Sequence, residues 1–369
     1  MVKLQANEVE EGTSSMKNQT LKLFTISVIA FVIIISVMLY FFSERFTSAW
    51  VPIDHGFGET VTLSPDDEKI VFPFYQSGDG ALYIANVDGS EVHQLTYPRQ
   101  SESHVRPRFS HNGNKILFLS REKMGETLLQ SLYIMNVDGT GLIKISNDDE
   151  KIITDAIFSY DDNEILYLVA EEYTNYAPGA NKRPHRMDLY KMAVSGDNKV
   201  RLTEDESYEK SELSSPLDET VVGFIDGIKQ DKGVLGTEFV VFDLEKEAEV
   251  TRVQPNSEFE TKDIYSAKFS PDGEIIAFSA ATINPRKKSQ FIYELYKMNK
   301  DGNNVEPLTS FRTFITEPTF FHNEPRVLFI QDQSWNRGKP NFKLWAVDLD
   351  GENIRSITLQ MPQFTGTAL

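Results

Sequence analysis

Cysteine is absent from the 369 residues. That excludes a disulfide framework, thiolate metal sites and a cysteine nucleophile together. Basic side chains are scarce: 37 Lys and Arg stand against 55 Asp and Glu, a formal net charge of −18. So acidic a chain repels phosphate backbones, so no nucleic-acid partner is expected. Histidine is sparse, and none of His55, His93, His104, His111, His185 and His322 pairs at i, i+4 or within an HExxH pattern. The sequence has no G-x-S-x-G nucleophile elbow and no glycine-rich phosphate loop. No cofactor, resident metal or appended serine hydrolase is therefore expected.

Long apolar runs are limited to one. Leu23 to Ser43 is a stretch of 21 uncharged residues between Lys22 and Glu44. As a helix it reaches about 30 Å, the thickness of a bilayer core. Lys3, Lys17 and Lys22 precede it and only Arg45 closely follows, so the N-terminus is expected on the cytoplasmic side. The run exceeds the apolar region of a cleaved signal peptide, which favours an uncleaved anchor; cleavage after Ala49 is the alternative. The expected layout is a cytoplasmic tail over 1–22, a transmembrane helix over 23–43, a linker over 44–58, a repeat domain over 59–358 and a C-terminal tail over 359–369. The protein is thus expected at the cell membrane with a single pass, its repeat domain extracytoplasmic.

What fills residues 59–358 is a repeat. Leu63-Ser64-Pro65-Asp66-Asp67 leads to Ile70-Val71-Phe72, Phe109-Ser110-His111-Asn112-Gly113 to Ile116-Leu117-Phe118, and Phe158-Ser159-Tyr160-Asp161-Asp162 to Ile165-Leu166-Tyr167. Phe269-Ser270-Pro271-Asp272-Gly273 before Ile276-Ala277-Phe278 is the cleanest copy. Ser214-Ser215-Pro216-Leu217-Asp218 is degraded and leaves its register open by one residue, and Phe320-Phe321-His322-Asn323 has lost the serine. The anchor positions 64, 110, 159, 215, 270 and 321 are 46 to 56 residues apart. A second signature follows most anchors, as in Leu82-Tyr83-Ile84-Ala85-Asn86-Val87-Asp88-Gly89 and Leu295-Tyr296-Lys297-Met298-Asn299-Lys300-Asp301-Gly302, and many units close on Leu-Thr or Ile-Ser. The Asp-Gly pairs lack the further ligands of a calcium loop and serve as hairpin turns. Four short alternating strands per unit, six times over, predict an all-β fold: a six-bladed β-propeller of four-stranded blades, preceded by one transmembrane helix.

Phe-Ser-Pro-Asp-Gly followed by Leu-Tyr-x-Met-Asn-x-Asp-Gly and Leu-Thr resembles the repeat of TolB-like β-propellers, from residue 60 to about 358. The resemblance implies an extracytoplasmic propeller. TolB carries an α/β domain ahead of its propeller, and Glu44 to Gly58 is too short to hold one, so the Tol-system role is not carried over.

Strand order puts the turns after the first and third strands of every unit on one face, tight and alike. The opposite face receives the dissimilar segments Arg121–Ser131, Ala170–Asp188, Asp226–Thr237, Ala281–Ile292 and Asp332–Asn341, where function is expected to sit. Lys182, Arg183 and the run Arg286-Lys287-Lys288 make these segments net basic, which suits an acidic partner. The channel mouth is expected where each first strand begins, at Thr60, Arg106, Asp155, Ser211, Ser266 and Glu317; Arg106, Asp155 and Glu317 could pair or bind across it. His111 and His322, beside the tight turns, are expected to be exposed. The expected function is non-catalytic binding of a protein or envelope polymer, with an acidic partner favoured. The alternative is a lyase or hydrolase acting on an acidic glycan at the channel mouth, with a metal or a set of Arg, Asp and Glu side chains there; convergence of His104 and His185 with a carboxylate would favour it.

Overall fold

The computed structural model describes residues 53, 55–122, 129–147, 152–175, 182–217, 220–230, 233–256, 263–283, 291–335 and 338–362. The apolar span 23–43 and the Arg286-Lys287-Lys288 tip lie outside them. Among the described residues no helix is long and apolar enough to cross a membrane.

The described elements are all strands, grouped in six consecutive antiparallel meanders over residues 56–94, 102–144, 152–201, 210–253, 265–307 and 314–357. We number these repeats 1 to 6. In repeat 1 the first strand is interrupted, its pieces Gly56–Phe57 and Thr62–Leu63 both pairing with Lys69–Gln76. Repeats 2 and 3 touch through one parallel pair, Ile152↔Gln130.

The sequence signatures have local causes. The Ser of the first turn accepts the amide of the residue five on, at 2.9 Å in Lys69→Ser64, Lys115→Ser110, Glu164→Ser159 and Ile275→Ser270. Its hydroxyl donates to the side chain two residues on, Asp66, Asn112, Asp161 or Asp272. Each closing Thr or Ser has a separate task. The outer strand of repeats 1, 2, 3 and 5 pairs over only two residues, and the hydroxyls of Thr96, Ser146, Thr203 and Thr309 accept the buried amides of Leu82, Leu132, Leu189 and Leu295, each at 2.9 Å. A buried amide left without an acceptor is costly, which accounts for a hydroxyl recurring there.

The glycine of the third-strand turn does two things at once. Gly89, Gly139, Gly196, Gly302 and Gly351 all have φ between 82° and 91°. A Cβ on Gly302 would lie 2.2 Å from the carbonyl oxygen of Gln254, one on Gly196 2.5 Å from that of Ile145, and one on Gly89 2.3 Å from that of Thr358. Each carbonyl belongs to the preceding repeat, and Thr358 belongs to repeat 6 while Gly89 belongs to repeat 1. The packing follows the same cycle. One apolar cluster fills each interface between successive repeats, for example Val71, Leu82, Ile116 and Phe118 between repeats 1 and 2. Another, with Phe57, Phe72, Leu328 and Leu344, joins repeat 6 to repeat 1. The six repeats therefore close on themselves.

Two expectations are corrected here. His111 and His322 are half-buried and lock adjacent repeats together: the backbone amides of His111 and Asn112 donate to Asp162, those of His322 and Asn323 donate to Asp67, and each imidazole Nδ1 lies within 3.2 Å of the same carboxylate. Asp67 and Asp162 hold φ of 63° and 58°, where the equivalent turns of repeats 2 and 5 use Gly113 and Gly273. An Asp tolerates that conformation and adds a side chain that reaches across. The segment Ala170–Asp188 is mostly strand, with hairpin arms Glu164–Thr174 and Arg183–Ala193 running to 11 residues each.

Candidate functional site

The first strands of repeats 2 to 6 each carry a bulge, at Val105/Arg108, Ile153/Asp155, Ser211/Ser214, Tyr265/Lys268 and Thr316/Thr319. Arg106, Glu212, Ser266 and Glu317 take φ of 51°, 60°, 46° and 53° at these bulges. An extra residue in a strand re-aims the side chains around it, and here charged groups are gathered along the axis. The register of repeat 4 resolves one residue later than the sequence reading: Glu212, not Ser211, takes the place equivalent to Arg106.

Arg106 Nη1 lies 3.7 Å from Asp155 and 3.6 Å from Glu212. Arg108 Nη2 lies 3.5 Å from the same Asp155 oxygen, and Lys268 Nζ is 3.0 Å from Glu317. Asp155 also accepts the Leu213 amide at 2.9 Å, and Ser266 Oγ accepts the Glu317 amide at 2.8 Å. Asp155 and Glu317 are only 1% and 3% exposed. The predicted mouth residues Arg106, Asp155 and Glu317 thus come together as parts of a buried ion network. Arg108, Lys268, Glu212 and Glu59 belong to it and were missed. Arg108 stands two residues after Arg106, but the bulge between Val105 and Arg108 breaks the strand alternation that would have related them, so no local signal marked it.

Burial opposes the charge of Arg106, yet Asp155, Glu212, Glu317 and Glu59 together hold it firmly protonated. Burial also opposes ionisation of Glu317, but Lys268, Arg108 and Arg106 outweigh it and its carboxyl falls below the usual range. Glu212 goes the other way: burial and the nearby Glu317 push it up to about 7 against the pull of Arg106 and Lys268. Burial likewise raises Glu59. Buried charges of this kind are tolerated because they face one another.

The other candidates lie apart. Lys182 and Arg183 are exposed at the start of a hairpin arm, where Arg183 is paired in register with Thr174. His104 is buried against Phe118 and Tyr133 with Nε2 3.4 Å from Glu102, while His185 stacks on Tyr208 and reaches the Thr174 carbonyl at 3.1 Å. Among the described residues the one group of three carboxylate or imidazole ligands close enough for a metal is Asp205, Asp226 and Glu249, which includes neither histidine. Lys210 and Arg252 already pair with all three carboxylates.

No protein-family model and no curated protein matches the chain. Solved structures do. A protein assigned as TolB from Agrobacterium tumefaciens aligns at TM-score 0.54 and 16% identity, over 73% of this chain and 84% of that one. TolB from Acinetobacter baumannii aligns at 0.52 and 16%, over 72% of this chain but only 57% of its own length. Hydrazine synthase from Kuenenia stuttgartiensis aligns at 0.53 and 11%, over 82% and 80%. At these identities the likeness is one of fold: the chain is similar to TolB and other β-propeller proteins, and its described part is an all-β propeller.

Proposed function

We propose that this chain is a membrane-anchored, extracytoplasmic propeller of six blades that binds a protein or envelope polymer and catalyses nothing. The six meanders are read as six blades, because the glycine-to-carbonyl approach and the apolar cluster at the seam repeat those at the internal interfaces. Leu23 to Ser43 supplies the anchor. The observation that carries the binding role is the contrast between the two faces. One face repeats a single pattern of turns, pinned to each other through Asp67 and Asp162. The other carries second-to-third-strand hairpins of unequal length, with arms of 8 residues in repeat 1 and 10 or 11 in repeats 3 and 4. Variable hairpins on a rigid repeated frame are where recognition is ordinarily placed. Exposed Lys182 and Arg183, with Arg286-Lys287-Lys288 in the sequence, favour an acidic partner.

Photo-crosslinkers placed at Lys182 and, as a control, at exposed Asn114 on the turn face separate the possibilities in native membranes. Adducts from position 182 that disappear when Arg286, Lys287 and Lys288 are changed to Glu support the assignment. Adducts from position 114 alone, or from neither, refute it.

A further inference from the structure

The axial channel contains a cavity of about 150 Å³ at its turn-side end, lined by the last residues of all six first strands. Its lining includes Arg108, Lys268, His111, His322, Ser214 and Thr319, and no Asp or Glu among the described residues. In a chain of net charge −18, a cavity whose described wall holds two cations and no carboxylate is a marked local reversal of sign. The acidic partners of those cations, Asp155 and Glu317, stand farther up the channel and hold each cation from behind. Arg108 is 7% exposed and spends Nη2 on Asp155 and Nη1 on the Pro107 carbonyl, while its buried Nε meets no acceptor among the described residues. Lys268 gives one N–H to Glu317 and keeps two more. His111 and His322 use Nδ1 in their clamps to Asp162 and Asp67.

A buried guanidinium N–H without an acceptor is expensive, and the most direct relief is an acceptor that enters from the cavity. The space is roughly ten times what one water needs, so it accommodates a small polyatomic group with room for hydration. Charge-assisted bonds from Arg and Lys select oxygens that carry negative charge. We infer that this turn-side cavity is a binding site for a small oxyanion, a carboxylate or a phosphate, held by Arg108 and Lys268. The site is at the other end of the channel from the hairpin face and does not depend on what that face binds.

Calorimetric titration of the full-length chain in detergent, with succinate and with inorganic phosphate at matched ionic strength, tests it, sodium chloride serving as the control. Saturable binding of at least one of the two is expected, and which one binds identifies the source of the oxyanion. Arg108→Gln and Lys268→Met should each weaken that binding at least tenfold. Thr319→Met, which fills the cavity and leaves every charge in place, should abolish it with the far-ultraviolet spectrum unchanged. If Arg108→Gln fails to fold, the other two variants decide. Neither anion binding above the chloride control, or undiminished binding in both Lys268→Met and Thr319→Met, overturns the inference.

Discussion

Glu212 is the residue where the chemistry of the channel is most open to measurement. Its carboxyl is buried among Arg106, Asp155, Glu317 and Lys268 and rises to about 7. A carboxyl whose folded value exceeds its unfolded value of about 4.3 favours the fold while it is protonated, and that contribution is lost as pH climbs through the folded value. Glu212→Gln removes the loss. The melting temperature of the variant minus that of wild type should therefore grow between about pH 4.5 and 7, by several degrees or roughly 1–3 kcal/mol. A difference flat across that window would show that Glu212 ionises normally. Asp67 and Asp162 give a second test at this scale. Asp→Gly at either position relieves the left-handed backbone but discards two amide acceptors and an imidazole partner. Urea denaturation should show a net loss of about 1–2 kcal/mol, since bonds to charged groups exceed the strain relieved.

At the scale of the element, the third-strand turns form an internal series. Gly→Ala at Gly302, Gly196 or Gly89 sets a methyl against a neighbouring carbonyl at 2.2 to 2.5 Å, whereas at Gly351 the nearest atom is 3.5 Å away. The left-handed φ is common to all four, so it costs each roughly 1–2 kcal/mol. The first three should lose distinctly more than Gly351→Ala in urea midpoint, and equal losses would mean the close approach is slack. Thr96→Val keeps shape and removes the acceptor for the Leu82 amide; a loss of about 1–3 kcal/mol is expected in the same assay. These elements also show what the sequence could and could not disclose. Strand number, hairpin turns and their common face were legible, because alternation, Asp-Gly pairs and the Ser-x-Asp turn are local signals. The bulges were not, since a bulge arises from pairing between strands and leaves no local pattern in residues such as Arg106 or Ser266. The degraded fourth unit consequently slipped by one residue. The role of His111 and His322 was hidden for a related reason: each answers to an Asp in a different unit, 51 and 255 residues away along the chain.

On the scale of the whole molecule, the two aspartate clamps should behave differently. Repeat 2 remains tied to repeat 3 by the peptide chain when Asp162 is lost, whereas repeat 6 meets repeat 1 only through packing and polar contacts. Asp67→Gly should raise hydrogen exchange throughout repeats 1 and 6, and Asp162→Gly only near its own turn. The reverse pattern would mean that the seam is held mainly by the apolar cluster of Phe57, Phe72, Leu328 and Leu344. Among the described residues no strand is exchanged at that seam, for every meander is built from consecutive residues, and this has a consequence in time. During synthesis each unit can fold as soon as its own stretch of chain is available, without waiting for a distant strand. The first unit nonetheless keeps one apolar flank bare until the sixth has been made. The interval between those two events, about 250 residues of synthesis at 5–20 residues per second, is the period in which the nascent protein is most open to aggregation.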